Sequence, residues 1–377
     1  MKVIVAIDSF KGSLSSLQAG NAVKEAVHRL DETAEIVVKP LADGGEGTVD
    51  ALAESADAEM EELTVHGPQM TPVTAKYCIL KSTNTAVIEM AAAAGITLVP
   101  DGERNPLETT TYGVGELIKD AVNRGCRRFI VGIGGSATND GGTGMLTALG
   151  YAFLDGTGAP IPLGGKGLQE LREIRTDKVL PALKECRFYV ACDVTNPLCG
   201  ETGCSAVYGP QKGATPAMIA DMDGWLADYA TIAETMSATA DKNHPGAGAA
   251  GGLGFAFLSF TDAVLKSGID IVLEETKLEE DVKTADIVVT GEGRLDSQTV
   301  MGKAPIGVAK LAKQYGKRVV AFSGCVTEDA EVCYDHGIDA FFPVVRGVTT
   351  LEEALNPQNA YKNLSATAYQ VFRLLLK

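Results

Sequence analysis

The feature that most constrains this chain is a set of short, largely apolar, β-branched runs that stop abruptly in loops of glycine and acid. VIVAI at 3–7 ends at Asp8, EIVVKPL at 35–41 runs into ADGGEG, and DIVVT at 286–290 runs into GEG. VIVAI, with no polar residue on either face, has the mark of a parallel strand covered on both sides. Helical spacing follows the runs: Ser15 and Gln18 fit a capping box ahead of apolar residues at 19, 22, 23, 26, 27 and 30. RVVAFSG, DAFFPV and a closing helix around 359–376 extend the series. Five such strands separated by helices predict an α/β fold with an open parallel sheet.

The middle of the chain has another rhythm. EELTVHG, VTAKYCIL and TAVIEMA are joined by short turns such as KSTN, as in an antiparallel meander, and RFIVGIGGS and RFYVACD add strands. Helices are expected around 113–124, 143–149, 216–236 and 252–266. At 377 residues, two domains are the default. The expected organisation is one domain from 1–55 and 283–377, interrupted by a second, mixed α/β domain over 56–282.

Charge narrows the partners. Forty-nine acids against 33 bases give a net charge of -16, a field that repels nucleic acid and anionic membranes. Any bound anion must then be held by local cations and backbone N–H groups. The eight cysteines form no C-x-x-C pair and several sit in strand-like runs, so they read as reduced. The four histidines are too scattered for a zinc site. MKVIVAIDSF meets an aspartate too early for a signal peptide, and no apolar stretch approaches a membrane span, so a cytoplasmic protein is expected.

The loops after the strands carry the chemistry. Ligands of open α/β sheets bind at the carboxyl edge. In DSFKGS, Lys11 precedes a helix N-terminus, where a cation is repelled unless an anion lies between. GEGRLDSQTVMGKAP repeats the arrangement: Pro305 fits the first helical position, Lys303 lies just outside it, and Arg294 adds a planar fork. Each loop alone could be an ordinary solvated turn. Acids crowd the same loops, namely Asp8, Asp43, Glu46, Asp140, Asp193, Glu292 and Asp296, the mixture that phosphoryl transfer requires.

VGIGGSATNDGGTGM also reads as G-x-G-x-x-A over 132–137, with Asp155 about 20 residues on, as in dinucleotide-binding loops. Against that reading, glycines continue through Gly144 where a helix should open. Glycine chains of this kind leave backbone N–H groups free for phosphate oxygens. A kinase, a nicotinamide-dependent dehydrogenase of a small hydroxy acid and a non-catalytic anion-binding protein all stay open on the residues alone.

Taken together, DSFKGSL, PLADGGEGT, GIGGSATNDGGTGML, ACDVTNPLCG, GPQKGAT, GAAGGLGFAF and TGEGRLDSQTVMGKAP resemble the class I glycerate kinase family, in family order from residue 8 to 305. The resemblance implies ATP-dependent phosphorylation of D-glycerate with Mg²⁺, 2-phosphoglycerate being favoured over 3-phosphoglycerate. It also implies a flavodoxin-like domain interrupted by a restriction-endonuclease-like one, in a monomer or homodimer with small-molecule partners only.

Physical assignments within that frame place Lys11 and Arg294 on the substrate carboxylate or the transferred phosphoryl, with Ser9 and Asn196 on the hydroxyls. Asp193 is the first candidate for proton acceptor and Asp8 the second. Gly134, Gly135, Ser136 and Lys303 are expected at nucleotide phosphates, and Asp43, Asp296 and Glu292 at magnesium.

Overall fold

The computed structural model describes residues 1–42, 47–55 and 57–376. The chain packs as two compact units, one of Met1–Asp43, Asp50–Ala56 and Ile269–Lys377, the other of Gly44–Val49 and Asp57–Gly268. The return to the first unit comes at 269, earlier than the expected 283. Ile269 is the reason: a Cβ added to Gly307, on the helix Ala304–Gln314, would lie 2.5 Å from its Cγ1, so the segment beginning there packs with the first unit.

Strands are numbered in chain order through both units. The first holds β1 (Lys2–Val5), β2 (Glu35–Val38), β11 (Ile287–Leu295), β12 (Arg318–Val326) and β13 (Ala340–Pro343), all parallel, in the order β13-β12-β11-β1-β2. Counted within this unit alone, that is 2-1-3-4-5, the flavodoxin-like winding. Alternate residues Val3, Val5 and Ile7 enter one core with Val23 and Val27 of helix Ser16–His28 and Leu364 and Phe372 of helix Pro357–Leu375. Each aliphatic side chain so buried stabilises the fold by about 1.5–3 kcal/mol before the entropy of ordering it is subtracted. The capping box is present, with the Ser15 hydroxyl accepting from the Gln18 N–H and the Gln18 side chain accepting from the Ser15 N–H.

The second unit is built on a mixed sheet ordered β10-β9-β6-β5-β4-β3. β3 (Ala58–His66), β4 (Pro72–Leu80) and β5 (Thr85–Glu89) form the antiparallel meander, and β5, β6 (Arg128–Gly132), β9 (Arg187–Ala191) and β10 (Asp262–Lys266) run parallel. A small antiparallel pair, β7 (Ala152–Leu154) and β8 (Glu173–Arg175), stands apart. The helix expected over 252–266 is corrected here. The buried helix Ala249–Phe260 stops at the extended Thr261, and the next five residues pair with β9. Val264 and Leu265 suit either period over so short a run, and sheet pairing decides between them.

Candidate active site

In the first unit, β1 and β11 are the neighbours at which the winding reverses, the point where such sheets bind ligands. Beyond Val5 the two chains stay together: the Asp8 N–H donates to the Gly291 carbonyl at 2.9 Å. A Cβ on Gly293 would sit 3.3 Å from the Lys11 nitrogen, so glycine there lets the loops lie side by side. Asp8, Ser9 and Lys11 thereby come alongside Glu292 and Arg294.

Helix Ala304–Gln314 starts at the same edge. Lys303 is its N-cap residue and Pro305 its second residue, a shift of one from the sequence expectation. A cation at that position is unfavourable by itself. Two carboxylates offset it, Glu292 at 3.5 Å and Asp296 at 3.7 Å from Lys303 Nζ. Arg294 Nε lies 3.2 Å from the other oxygen of Asp296. The Thr299 hydroxyl, fully buried, donates to Glu292 Oε1 at 2.7 Å. Burial raises the Glu292 pKa, while Thr299 and Lys303 pull it back. Lys11 is exposed and, among the described residues, has no polar or charged partner for its side chain. The Ser9 N–H bonds the Asp8 carboxylate at 2.6 Å. Asp43, expected at the metal, lies outside the described residues.

The second unit presents a different surface. After β6 comes a loop with Gly134 and Gly135 exposed, Gly135 at φ +72° in the left-handed region that suits glycine. Among the described residues, the N–H groups of Gly134, Gly135 and Ser136 have no acceptor. The Ser136 hydroxyl turns inward, 3.0 Å from the Thr138 hydroxyl and accepting the Thr138 N–H at 3.0 Å, so it shapes the loop.

Asp140, counted in the sequence among the loop acids, is set apart from them by its burial. It is wholly buried and accepts from the Thr111 N–H at 2.8 Å, from the Thr110 and Thr111 hydroxyls, and from the N–H groups of Gly142 and Gly144. Burial raises its pKa against those donors, every one of which favours the anion. Its partners Thr110 and Thr111 went unread in the sequence. Lys212, in GPQKGAT, was also missed as a site residue; it is 2% exposed and donates to the Thr138 carbonyl at 2.6 Å.

At the end of β9, Asp193 is exposed and one of its oxygens accepts the Gly268 N–H at 3.1 Å, at the start of helix Gly268–Glu275. Asn196 is more committed: its amide nitrogen donates to the Thr202 carbonyl and its oxygen accepts the Tyr208 hydroxyl. The dinucleotide reading loses both supports. No helix begins until Thr143, and Asp155 is used in its own turn by Thr157 and Ala159.

The first unit thus offers cations and carboxylates in exchangeable pairs, and the second a rim of free amides over a buried polar layer. Comparison with known proteins agrees with that chemistry. The profile of the glycerate kinase family matches residues 3–376. The chain is 48% identical over 375 residues to a glycerate kinase of Haemophilus influenzae, covering 100% of this chain and 99% of the relative. It is 46% identical over 364 residues to the glycerate 2-kinase of Escherichia coli K12, with 97% and 95% covered. A crystal structure from Salmonella typhimurium LT2, provisionally designated glycerate kinase 2, superposes with a TM-score of 0.92 at 45% identity and covers 100% of this chain and 98% of its own. The chain belongs to the glycerate kinase family.

Proposed function

We propose that this protein transfers the γ-phosphoryl group of ATP to the 2-hydroxyl of D-glycerate. The observation that carries the reading is the gathering of Lys11, Arg294 and Lys303 with Asp8, Glu292 and Asp296 at one switch point, in a chain of this family. Three cations among three carboxylates suit an anion that arrives with a metal, whereas a simple anion trap would lack the acids.

In the transfer, the substrate hydroxyl oxygen bonds to the γ-phosphorus as the bond to the β–γ bridging oxygen breaks. ADP leaves, and the hydroxyl proton passes to a carboxylate. Asp193 is assigned as that acceptor, as an exposed carboxylate just past the end of β9, with Asp8 as the alternative. Lys11 and Arg294 hold the glycerate carboxylate or the moving phosphoryl, and Ser9 orients a hydroxyl. The free amides of Gly134, Gly135 and Ser136 receive nucleotide phosphates, and Lys303 neutralises them. Asn196, whose amide nitrogen and oxygen each hold one loop partner, keeps a second N–H and a second lone pair for a substrate hydroxyl.

Mg²⁺ fits the donors present. Among the described residues no group of three candidate ligands closes on a metal, but Glu292 and Asp296 supply two hard oxygen donors, the complement Mg²⁺ takes when phosphates complete its shell. When bound it would neutralise charge on the phosphates. The test is ADP release in a coupled assay with D-glycerate, followed by phosphorus NMR of the product. Glycerate-dependent ADP release with phosphate on C2 is expected. Absence of turnover overturns the reading, and phosphate on C3 overturns its regiochemistry.

A further inference from the structure

Lys212 is the fully buried cation beneath the glycine-rich loop. It stands at the end of the short helical turn Pro210–Lys212, and the following Gly213 is so closely packed that an added Cβ would lie 2.2 Å from the Arg104 carbonyl. Its ammonium donates to the Thr138 carbonyl at 2.6 Å. Thr138 in turn bonds Ser136 through both its N–H and its hydroxyl, and the Thr109 hydroxyl holds the intervening Ala137 carbonyl at 2.8 Å. One charged side chain thus holds the turn at Thr138, two residues beyond the last of the three free amides.

We propose that Lys212 is a positioning residue for nucleotide binding: it fixes the turn at Thr138 that aims the Gly134–Ser136 amides, and places a positive charge behind them. The inference rests on the phosphate-binding reading of that loop. A buried lysine is costly unless a counter-charge or a function retains it. The charges felt at Lys212 are those of Cys204 and Asp140. Burial pushes the Cys204 thiol up to about 11, which leaves it neutral, and Asp140 is then the acid that favours the charged ammonium. Asp223, Tyr208 and Tyr229 are the other titratable groups around this buried layer. Burial pulls the ammonium itself down to about 8. Above that pH the charge behind the amides is lost.

The experiment compares Lys212→Met and Lys212→Gln with the wild-type enzyme in two-substrate kinetics, each variant first checked for folding by circular dichroism and thermal melting. A selective rise in the KM for ATP is expected, about tenfold for Met and smaller for Gln, which keeps a donor for Thr138, with the KM for glycerate unchanged. Folded variants with unchanged ATP affinity, or with equal losses for both substrates, overturn the proposal. Should neither variant fold, the wild-type enzyme decides: ADP affinity must weaken as pH rises through about 8, and a flat profile from pH 7 to pH 9.5 overturns it. Gly135→Val, which forces a β-branched residue into the left-handed region, separates the two ideas. If it leaves ATP affinity intact, the phosphate-binding reading fails; if it weakens ATP while Lys212→Met does not, only the role of Lys212 fails.

Discussion

The edges of the two sheets carry similar loops to opposite effect. At the β1/β11 edge the charges lie near the surface in pairs that can be exchanged: Lys303 sits between Glu292 and Asp296, Arg294 leans on Asp296, and Lys11 is free among the described residues. At the loop after β6 the charges are inside, with Asp140 and Lys212 buried and backbone amides outermost. The first arrangement can trade a protein carboxylate for a substrate anion, because Lys303 and Arg294 keep part of their side chains in water and meet the more buried carboxylates only at 3.2–3.7 Å. The second cannot rearrange without orphaning buried groups, so it holds a fixed shape. Holding an incoming substrate anion suits the first and a phosphate cradle the second.

That contrast can be broken in several places. Asp193→Asn should have the largest effect, lowering turnover by about 10²–10⁴-fold while ATP affinity stays nearly intact; a near-wild-type rate passes the proton-acceptor role to Asp8. Asp140→Ala should act on stability, with a loss of about 3–5 kcal/mol in denaturant unfolding, since five donors lose their acceptor and Lys212 the acid that favours its charged form. A loss like that of a surface acid would mean the buried layer is not what holds the loop.

The smallest effect is one of sign. Burial raises the Glu292 pKa, so the folded protein keeps this proton to higher pH than the unfolded chain does. Wild-type stability must therefore fall as pH rises through the range above 4.5, and Glu292→Gln, which does not titrate, must lack that slope. Melting temperatures from pH 4 to pH 7 should favour the variant increasingly, by a few degrees. Parallel curves would show that the pairing with Lys303 offsets the burial in full.

Much of the first unit was legible in the sequence because its central strands are largely apolar and end sharply. Lys11 and Lys303 stood out because cations are out of place ahead of helix N-termini in an acidic chain, and Arg294 as a planar fork in the same loop. The second unit was less legible. The segment 261–266 fits two periodicities and is decided by pairing with β9. Asp140 looks the same in sequence whether solvated or buried, and only folding brings Thr110 and Thr111 to it. Lys212 carried no signal of burial, being a lysine between a turn and a glycine. Asn196 was visible as a polar loop residue, but its commitment to Thr202 and Tyr208 depends on how the loop closes.

The division of labour between the edges is tested most directly by two-substrate steady-state kinetics of Lys11→Met beside Gly135→Val. Lys11→Met should raise the KM for glycerate by about 10–100-fold and spare ATP, while Gly135→Val should do the reverse. Both variants shifting both constants alike, or neither shifting either, would contradict it.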